Sequence, residues 1–357
     1  MTNDEAPSTK NAALPQDPLK FHFIKAGNRP LFAVPQAPAR LRNAAVRCYP
    51  AHTWKKRVLR DAFLGASRVG VARWLFPATN LPLPGVPAGD FADWLSDIQA
   101  RIGSSMLLPM LAWPGDPTRG RVYLHLLDES GITKAFCKLS LDQPNDALIR
   151  HEGETLAGLA HLDLKLCRIP EVIATGRLGG HESLVVSRAS NHARASDWQR
   201  DRPIDDVIRE YAGTTRTLSR EDACRLPWWS GLTGFCRDRP EFHANVNRAA
   251  AAGVQVCRIH GDLNQTNVLR DGDDIWLLDW EQSQADGPCL TDPVCAAVDY
   301  LCCLHPNDPH GNARKFRNRF LDGHDETTRN QAILALAYLG SVRFTPAIAI
   351  IDAWPQT

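Results

Sequence analysis

The chain has 357 residues, 44% hydrophobic and 23% charged, which suits a globular protein with room for two lobes and excludes a fibrous or wholly disordered chain. Forty-one basic residues against 40 acidic ones give a formal net charge of +1, so no global field points to nucleic acid or to a strongly acidic partner. Ten scattered cysteines without a C-x-x-C pair, and the absence of a signal-peptide core or an apolar run of spanning length, lead us to expect reduced thiols and a cytoplasmic protein.

In chain order, the polar, proline-containing residues 1–19 are expected to be a disordered leader. FHFIKAG and RPLFAVP then predict two strands split by the turn residues Gly27 and Asn28. Residues 40–76 change character, with nine basic residues (Arg40, Arg42, Arg47, Lys55, Lys56, Arg57, Arg60, Arg68 and Arg73) against one acid, Asp61. Two apolar sets, Trp54, Val58, Ala62 and Leu59, Phe63, Ala66, fall at helical spacing there, and Thr53 is placed as an N-cap. This basic helix admits two readings. It lies on an anionic membrane surface or phosphorylated glycan, or it packs its apolar face on the body and solvates its charges, the commoner fate. The proline-rich FPATNLPLPGVPAGD reads as a connection that sets residues 20–89 apart as an appendage.

From about residue 90 the pattern predicts a helix (DFADWLSDIQARI), β-like runs at MLLPMLAW, RVYLHLLD and ITKAFCKLSL, a helix at 145–160 and the strand ESLVVSRA. Residues 200 onward read as mostly helical, interrupted by a β-rich block at 254–280. Within that block, RIHGDLNQTNVLRDGDDIWLLDWEQ predicts a hairpin that carries Asp262, Asn267 and Asp279 to one rim.

HGDLNQTNVL, followed twelve residues after Asn267 by LDWE, resembles the H-G-D-x-x-x-x-N and I-D-[WFL]-[DEG] pair of the aminoglycoside phosphotransferase and choline kinase superfamily. The resemblance implies an α+β, two-lobed protein-kinase-like fold. A small β-rich N-lobe would occupy residues 90–189 and a larger helical C-lobe residues 190–357, with the appendage added in front. It also implies transfer of the γ-phosphoryl group of magnesium-bound ATP or GTP to a hydroxyl group. By the same resemblance Asp262 is the catalytic base, His260 braces its loop, Asn267 and Asp279 hold Mg2+, and Asp292 in TDP supports the loop.

Such an enzyme needs a cation for the phosphates and an acid to hold it. Lys138 sits in an apolar strand where a charge must be paired, which favours it over Lys134, and Glu152 in LIRHEGETLAGL is placed like the family's helical glutamate. WPGDPTRGRVYLHLL fills the slot of the nucleotide-covering loop, where Gly115 and Gly120 allow close approach to phosphate and Thr118 offers a hydroxyl. ESLVVSRAS ends like the family's hinge, so the backbone of Ser187 and Ala189 is expected at the purine edge.

The acceptor is less specified. Trp228 and Trp229 are candidates for stacking on a ring or, more commonly, for core anchors. Beyond Asp322, Asp325 and Glu326 the C-terminal region shows no acidic cluster of the kind a polycationic aminoglycoside calls for, so a hydroxylated small molecule or glycan is expected. A catalytically silent scaffold is the alternative, and a protein kinase a third, weakened by the missing D-F-G and A-P-E signatures.

Overall fold

Alternation of apolar residues builds the first sheet. β1 (Phe21–Ala26) and β2 (Arg29–Pro35) form an antiparallel hairpin, its turn made at Gly27 with φ +61°. The computed structural model describes residues 19–49, 53–81, 83–115, 119–190, 192–197 and 204–354, so the expected leader, all but its last residue Leu19, and Thr118 lie outside the described residues. The chain divides into two compact units, residues 1–153 with 171–188, and residues 154–170 with 189–357.

After the hairpin the first unit continues with α1 (Ala39–Arg47), α2 (Trp54–Arg68), α3 (Ala72–Leu75), β3 (Ala78–Thr79) and α4 (Ala88–Ile102). Then come β4 (Leu108–Ala112), β5 (Arg121–Leu127), β6 (Thr133–Ser140), α5 (Gln143–Leu159), which passes into the second unit after residue 153, β7 (Val172–Leu178) and β8 (His181–Ser187). All eight strands join one antiparallel sheet in the order β3-β1-β2-β4-β5-β6-β8-β7.

Period two assigns the side chains. Phe32, Val34, Met110 and Ala112 join one apolar cluster with Leu41, Ala45, Val46 and Phe63 of α1 and α2. Ala33, Leu111, Val122, Leu124 and Leu126 join another with Phe91, Leu95 and Ile98 of α4.

This corrects the expected boundary at residue 89. The proline-rich connection is not a free linker, because Leu83 and Val86 are buried in the second cluster, and β1 to β3 extend the same sheet that β4 to β8 form. Thr53 does cap α2, its hydroxyl accepting from the Lys56 N–H at 3.4 Å.

The second unit holds β9 (Arg194–Ala195), α6 (Asp205–Ala212), β10 (Arg216–Leu218), α7 (Arg220–Ala223), α8 (Trp229–Cys236) and α9 (Pro240–Ala251). β11 (Val254–Ile259), β12 (Val268–Asp271), β13 (Asp274–Leu277) and β14 (Gln284–Pro288) follow. The chain then enters α10 (Thr291–Leu304), α11 (Pro309–Phe320), α12 (Glu326–Ser341) and α13 (Thr345–Asp352).

Two small sheets, β10-β11-β14 and β13-β12-β9, carry the loops of interest. The first packs on a helical core centred on α12, which is buried on nearly every side from Leu334 to Gly340. Trp228 and Trp229 belong to that core, and the Trp228 indole N–H donates to the Asp286 carbonyl at 2.7 Å, so they are anchors and not a stacking platform. Among the described residues no single helix is long and apolar enough to cross a membrane.

Candidate active site

In the first unit the expected cation stands buried. Lys138 on β6 donates to Glu152 on α5 at 2.6 Å, with the residues 6% and 3% exposed. Glu154, two positions on, is exposed, and Lys134 lies at the surface with Asp128 at 3.2 Å. Taking two charges out of water costs several kcal/mol each, so the pair holds only while both members are present.

The turn into α5 positions the glutamate. Asp142 Oδ1 accepts from the Asn145 N–H at 2.9 Å and from its amide at 2.7 Å, which closes the first turn of the helix. A methyl group on Gly120 would lie 1.6 Å from Asp142 Oδ2, so this glycine makes room for the capping carboxylate. A Cβ on Gly115 would meet, among the described residues, Lys56 Nζ at 3.6 Å, an ordinary contact.

Ser187 departs further from expectation. Its N–H donates to the Glu171 carbonyl and its hydroxyl accepts from the Glu171 N–H, both at 2.8 Å, so that N–H is committed within the unit and not offered to a purine. The sequence had no way to signal this, since the partner strand β7 was not foreseen. Ala189 is buried and belongs to the second unit.

One carboxylate organises the segment after β11 in the second unit. Asp292, 1% exposed in the first turn of α10, accepts from the N–H groups of His260 at 2.7 Å and Gly261 at 2.9 Å and from the Tyr211 hydroxyl at 2.7 Å. Gly261 has φ +85°, and a Cβ there would stand 2.3 Å from the Gln282 carbonyl oxygen, so the approach admits no side chain. His260 is fully buried beside Trp280, ring centroids 4.5 Å apart. Its Nε2–H donates to the Leu278 carbonyl at 2.8 Å, which assigns the tautomer and leaves Nδ1 to accept from the Asp262 N–H at 3.4 Å. His260 is therefore a positioning residue between the two loops.

Asp262 is held on both oxygens. Oδ1 accepts from the Asn264 amide at 2.8 Å and Oδ2 from the Asn267 amide at 3.1 Å. Burial, with repulsion from Asp279 and Glu281 added to it, pushes its carboxyl up to about 6 against the opposing pull of the Asn264 bond. Asn267 also donates to the Asp262 carbonyl at 2.9 Å, which commits its nitrogen and leaves the side-chain oxygen as its acceptor end. Asp279 follows β13 in the left-handed region at φ +65°, a conformation that costs an ordinary residue roughly 1–2 kcal/mol and that Asp tolerates better.

The second unit thus brings Asp262, Asn267 and Asp279 into one neighbourhood, with all-oxygen donors and repelling carboxylates that fit a hard cation. Sequence reasoning missed three contributors. Glu281 stood in the LDWE segment without a role. Asn264 orders the loop by accepting from the Thr266 N–H at 2.9 Å. Asp299 accepts from the Gln265 N–H at 2.9 Å, and its spacing of seven from Asp292, two turns along one helix face, was the available signal.

The sequence profile of the phosphotransferase enzyme family (APH) matches residues 115–302, over half of the 357. The chain belongs to this family. As a member it is a phosphotransferase, and the matched residues contain Lys138, Glu152 and the whole segment from Asp262 to Asp292. No curated protein matches the sequence.

Solved structures similar to this chain include aminoglycoside phosphotransferase APH(4)-Ia, 13% identical over 76% of this chain and 98% of that one, with a TM-score of 0.45. APH(3'')-Id from Streptomyces rimosus, in complex with ADP and streptomycin, is 16% identical over 70% of this chain and 98% of its own (TM-score 0.40). A choline/ethanolamine kinase family protein from Mesorhizobium loti is 13% identical over 75% and 100% (TM-score 0.36).

If the Lys138–Glu152 pair is what keeps the buried cation in place, Lys138→Met is expected to weaken nucleotide binding and to cost about 3–5 kcal/mol of stability, because it takes the facing charge away from a buried carboxylate. The double variant Lys138→Met/Glu152→Leu should recover most of the lost thermal stability without recovering nucleotide affinity. Paired melting curves and calorimetric titrations separate the two effects, and recovery of both would remove the pair from nucleotide binding.

Proposed function

We propose that this phosphotransferase moves the γ-phosphoryl group of ATP or GTP to a hydroxyl of a small molecule or glycan. Asp262 would be the carboxylate that orients the acceptor hydroxyl and takes its proton. The observation that carries this reading is the state of Asp262, a half-buried carboxylate fixed by two amides and pushed up to about 6, close to the range in which a base works at neutral pH. A surface turn or capping aspartate would instead be solvated and ordinary.

Asn267 and Asp279 would hold the Mg2+ that neutralises the phosphates, the first through its side-chain oxygen and the second through its carboxylate. Lys138, kept in place by Glu152, would supply the positive charge that a mobile surface lysine cannot place. His260, Gly261 and Asp292 act indirectly, fixing where the Asp262 backbone runs.

The acceptor reading rests on the C-terminal acids a polycation would call for. Of the C-terminal acids, Asp325 is spent on capping α12, where it accepts from the Thr328 N–H at 2.9 Å. A hydroxylated small molecule or glycan therefore fits better than an aminoglycoside.

The test combines two measurements. Calorimetry with ATP or GTP should show saturable binding that depends on Mg2+, and γ-labelled nucleotide offered with a panel of sugars, amino-alcohols and aminoglycosides should label one hydroxyl class. Absence of nucleotide binding with Mg2+ present would favour a silent scaffold and remove the catalytic reading.

A further inference from the structure

Six of the nine large apolar side chains that stand exposed among the described residues come from one short stretch: Trp54, Val58, Val69, Val71, Trp74 and Leu75. Trp54, Val69 and Trp74 are 69%, 73% and 74% exposed, values at which a tryptophan or valine gains nothing from the fold.

α2 explains the cluster. It carries two apolar stripes, of which Phe63 and Ala66 face the sheet and are buried, while Trp54, Val58, Ala62, Gly65 and Val69 follow one another at spacings of four, four, three and four along the solvent side. Gly70, at φ +78°, turns the chain into α3, where Ala72 is buried and Trp74 and Leu75 are not.

Cations frame this surface. Lys55, Arg68 and Arg73 are exposed beside the stripe, Lys55 Nζ lies 5.8 Å from the Trp54 ring centroid, and the Arg73 guanidinium lies 5.2 Å from that of Trp74. Asp61, the one acid between residues 40 and 76, is bridged by Arg60 at 3.0 Å.

We propose that the solvent side of α2 and α3 docks on an anionic lipid bilayer. Indole rings with cations beside them are the side chains that settle at the headgroup level, and a bilayer asks only that apolar groups share one side and positive charges surround them. A protein partner would need complementary relief, and two short helices with Ala62 and Gly65 between the large groups present little of it.

The full chain is mixed with phosphatidylcholine vesicles with and without phosphatidylglycerol and sedimented. Binding to the anionic vesicles alone, released as salt rises, is expected. Trp54→Ser/Trp74→Ser should weaken it by at least about tenfold through lost apolar burial. Arg68→Glu/Arg73→Glu should weaken it by about twentyfold or more, each lost cation being worth about fivefold near such a surface. Because all four side chains are exposed, both variants should keep the wild-type circular dichroism and melting temperature.

A chain that stays in the supernatant, binds neutral vesicles equally well, or binds undiminished in both variants overturns the proposal. So does self-association that Trp54→Ser/Trp74→Ser abolishes while no vesicle is bound, which would assign the surface to a second copy of the chain.

Discussion

Asp262→Asn is expected to lower kcat by a factor on the order of 10² or more while nucleotide affinity stays nearly unchanged. In a loose phosphoryl transfer the carboxylate is needed for the acceptor hydroxyl and its proton, and hardly at all for the nucleotide. The pH dependence follows from the raised carboxyl. In the free enzyme Asp262 gains its proton as the pH falls through about 6, so kcat/KM should fall along an acidic limb there, and bound metal should move the limb downward.

Stability runs the other way. A carboxyl raised in the folded state contributes stability that is fully present below its unfolded value and lost as pH rises through about 6. At pH 8 Asp262→Asn should therefore melt no lower than wild type, and the comparison should turn against the variant as the pH drops toward 4. An inactive variant that also melts well below wild type at pH 8 would make Asp262 a structural residue and sink its assignment as base.

Asp279→Asn should instead weaken Mg2+ and nucleotide together, each by at least about tenfold, since a neutral amide is a poorer ligand for a hard cation than a carboxylate. The backbone makes this an unusually clean substitution. At φ +65° most residues are strained, but Asn shares the tolerance of Asp for the left-handed region, so the variant removes charge without disturbing the turn after β13. Mg2+ titrations at fixed nucleotide read the effect. Unchanged metal dependence would remove Asp279 from the metal site, and the contrast with Asp262→Asn, in which binding survives, separates the two roles.

How far these assignments can be read from sequence depends on which interactions are local. That Lys138 pairs with an acid was legible because a charge in the apolar run AFCKLSL has few ways to persist, and Glu152 lies on the next helix. The order of Asp262, Asn267 and Asp279 was legible because one hairpin carries all three.

Non-local pairings were not. The bond from Ser187 to Glu171 needs β7, whose VIATGRL has neither clear alternation nor an apolar run. The close approach of Gly120 to Asp142 joins two turns that look like ordinary loop composition. Residues 20–89 looked separable because proline and glycine normally punctuate domains, whereas here Leu83 and Val86 pin that stretch to the sheet. α2 revealed both of its apolar stripes in sequence, but nothing in the spacing told which one the sheet would cover.

The order of the large sheet also bears on how this family member avoids clumping. The family match begins at residue 115, after β4, so β5 would be a bare edge strand in a chain cut there, with the N–H and C=O groups that now pair with Leu108–Ala112 open to any other chain. The strands ahead of the match cover that edge and pass the exposed position outward through β2 and β1 to β3. With only Ala78 and Thr79, β3 is too short to template another strand. The segment outside the shared sequence thus gives the shared strands a sheet end to which a neighbouring molecule can hardly add.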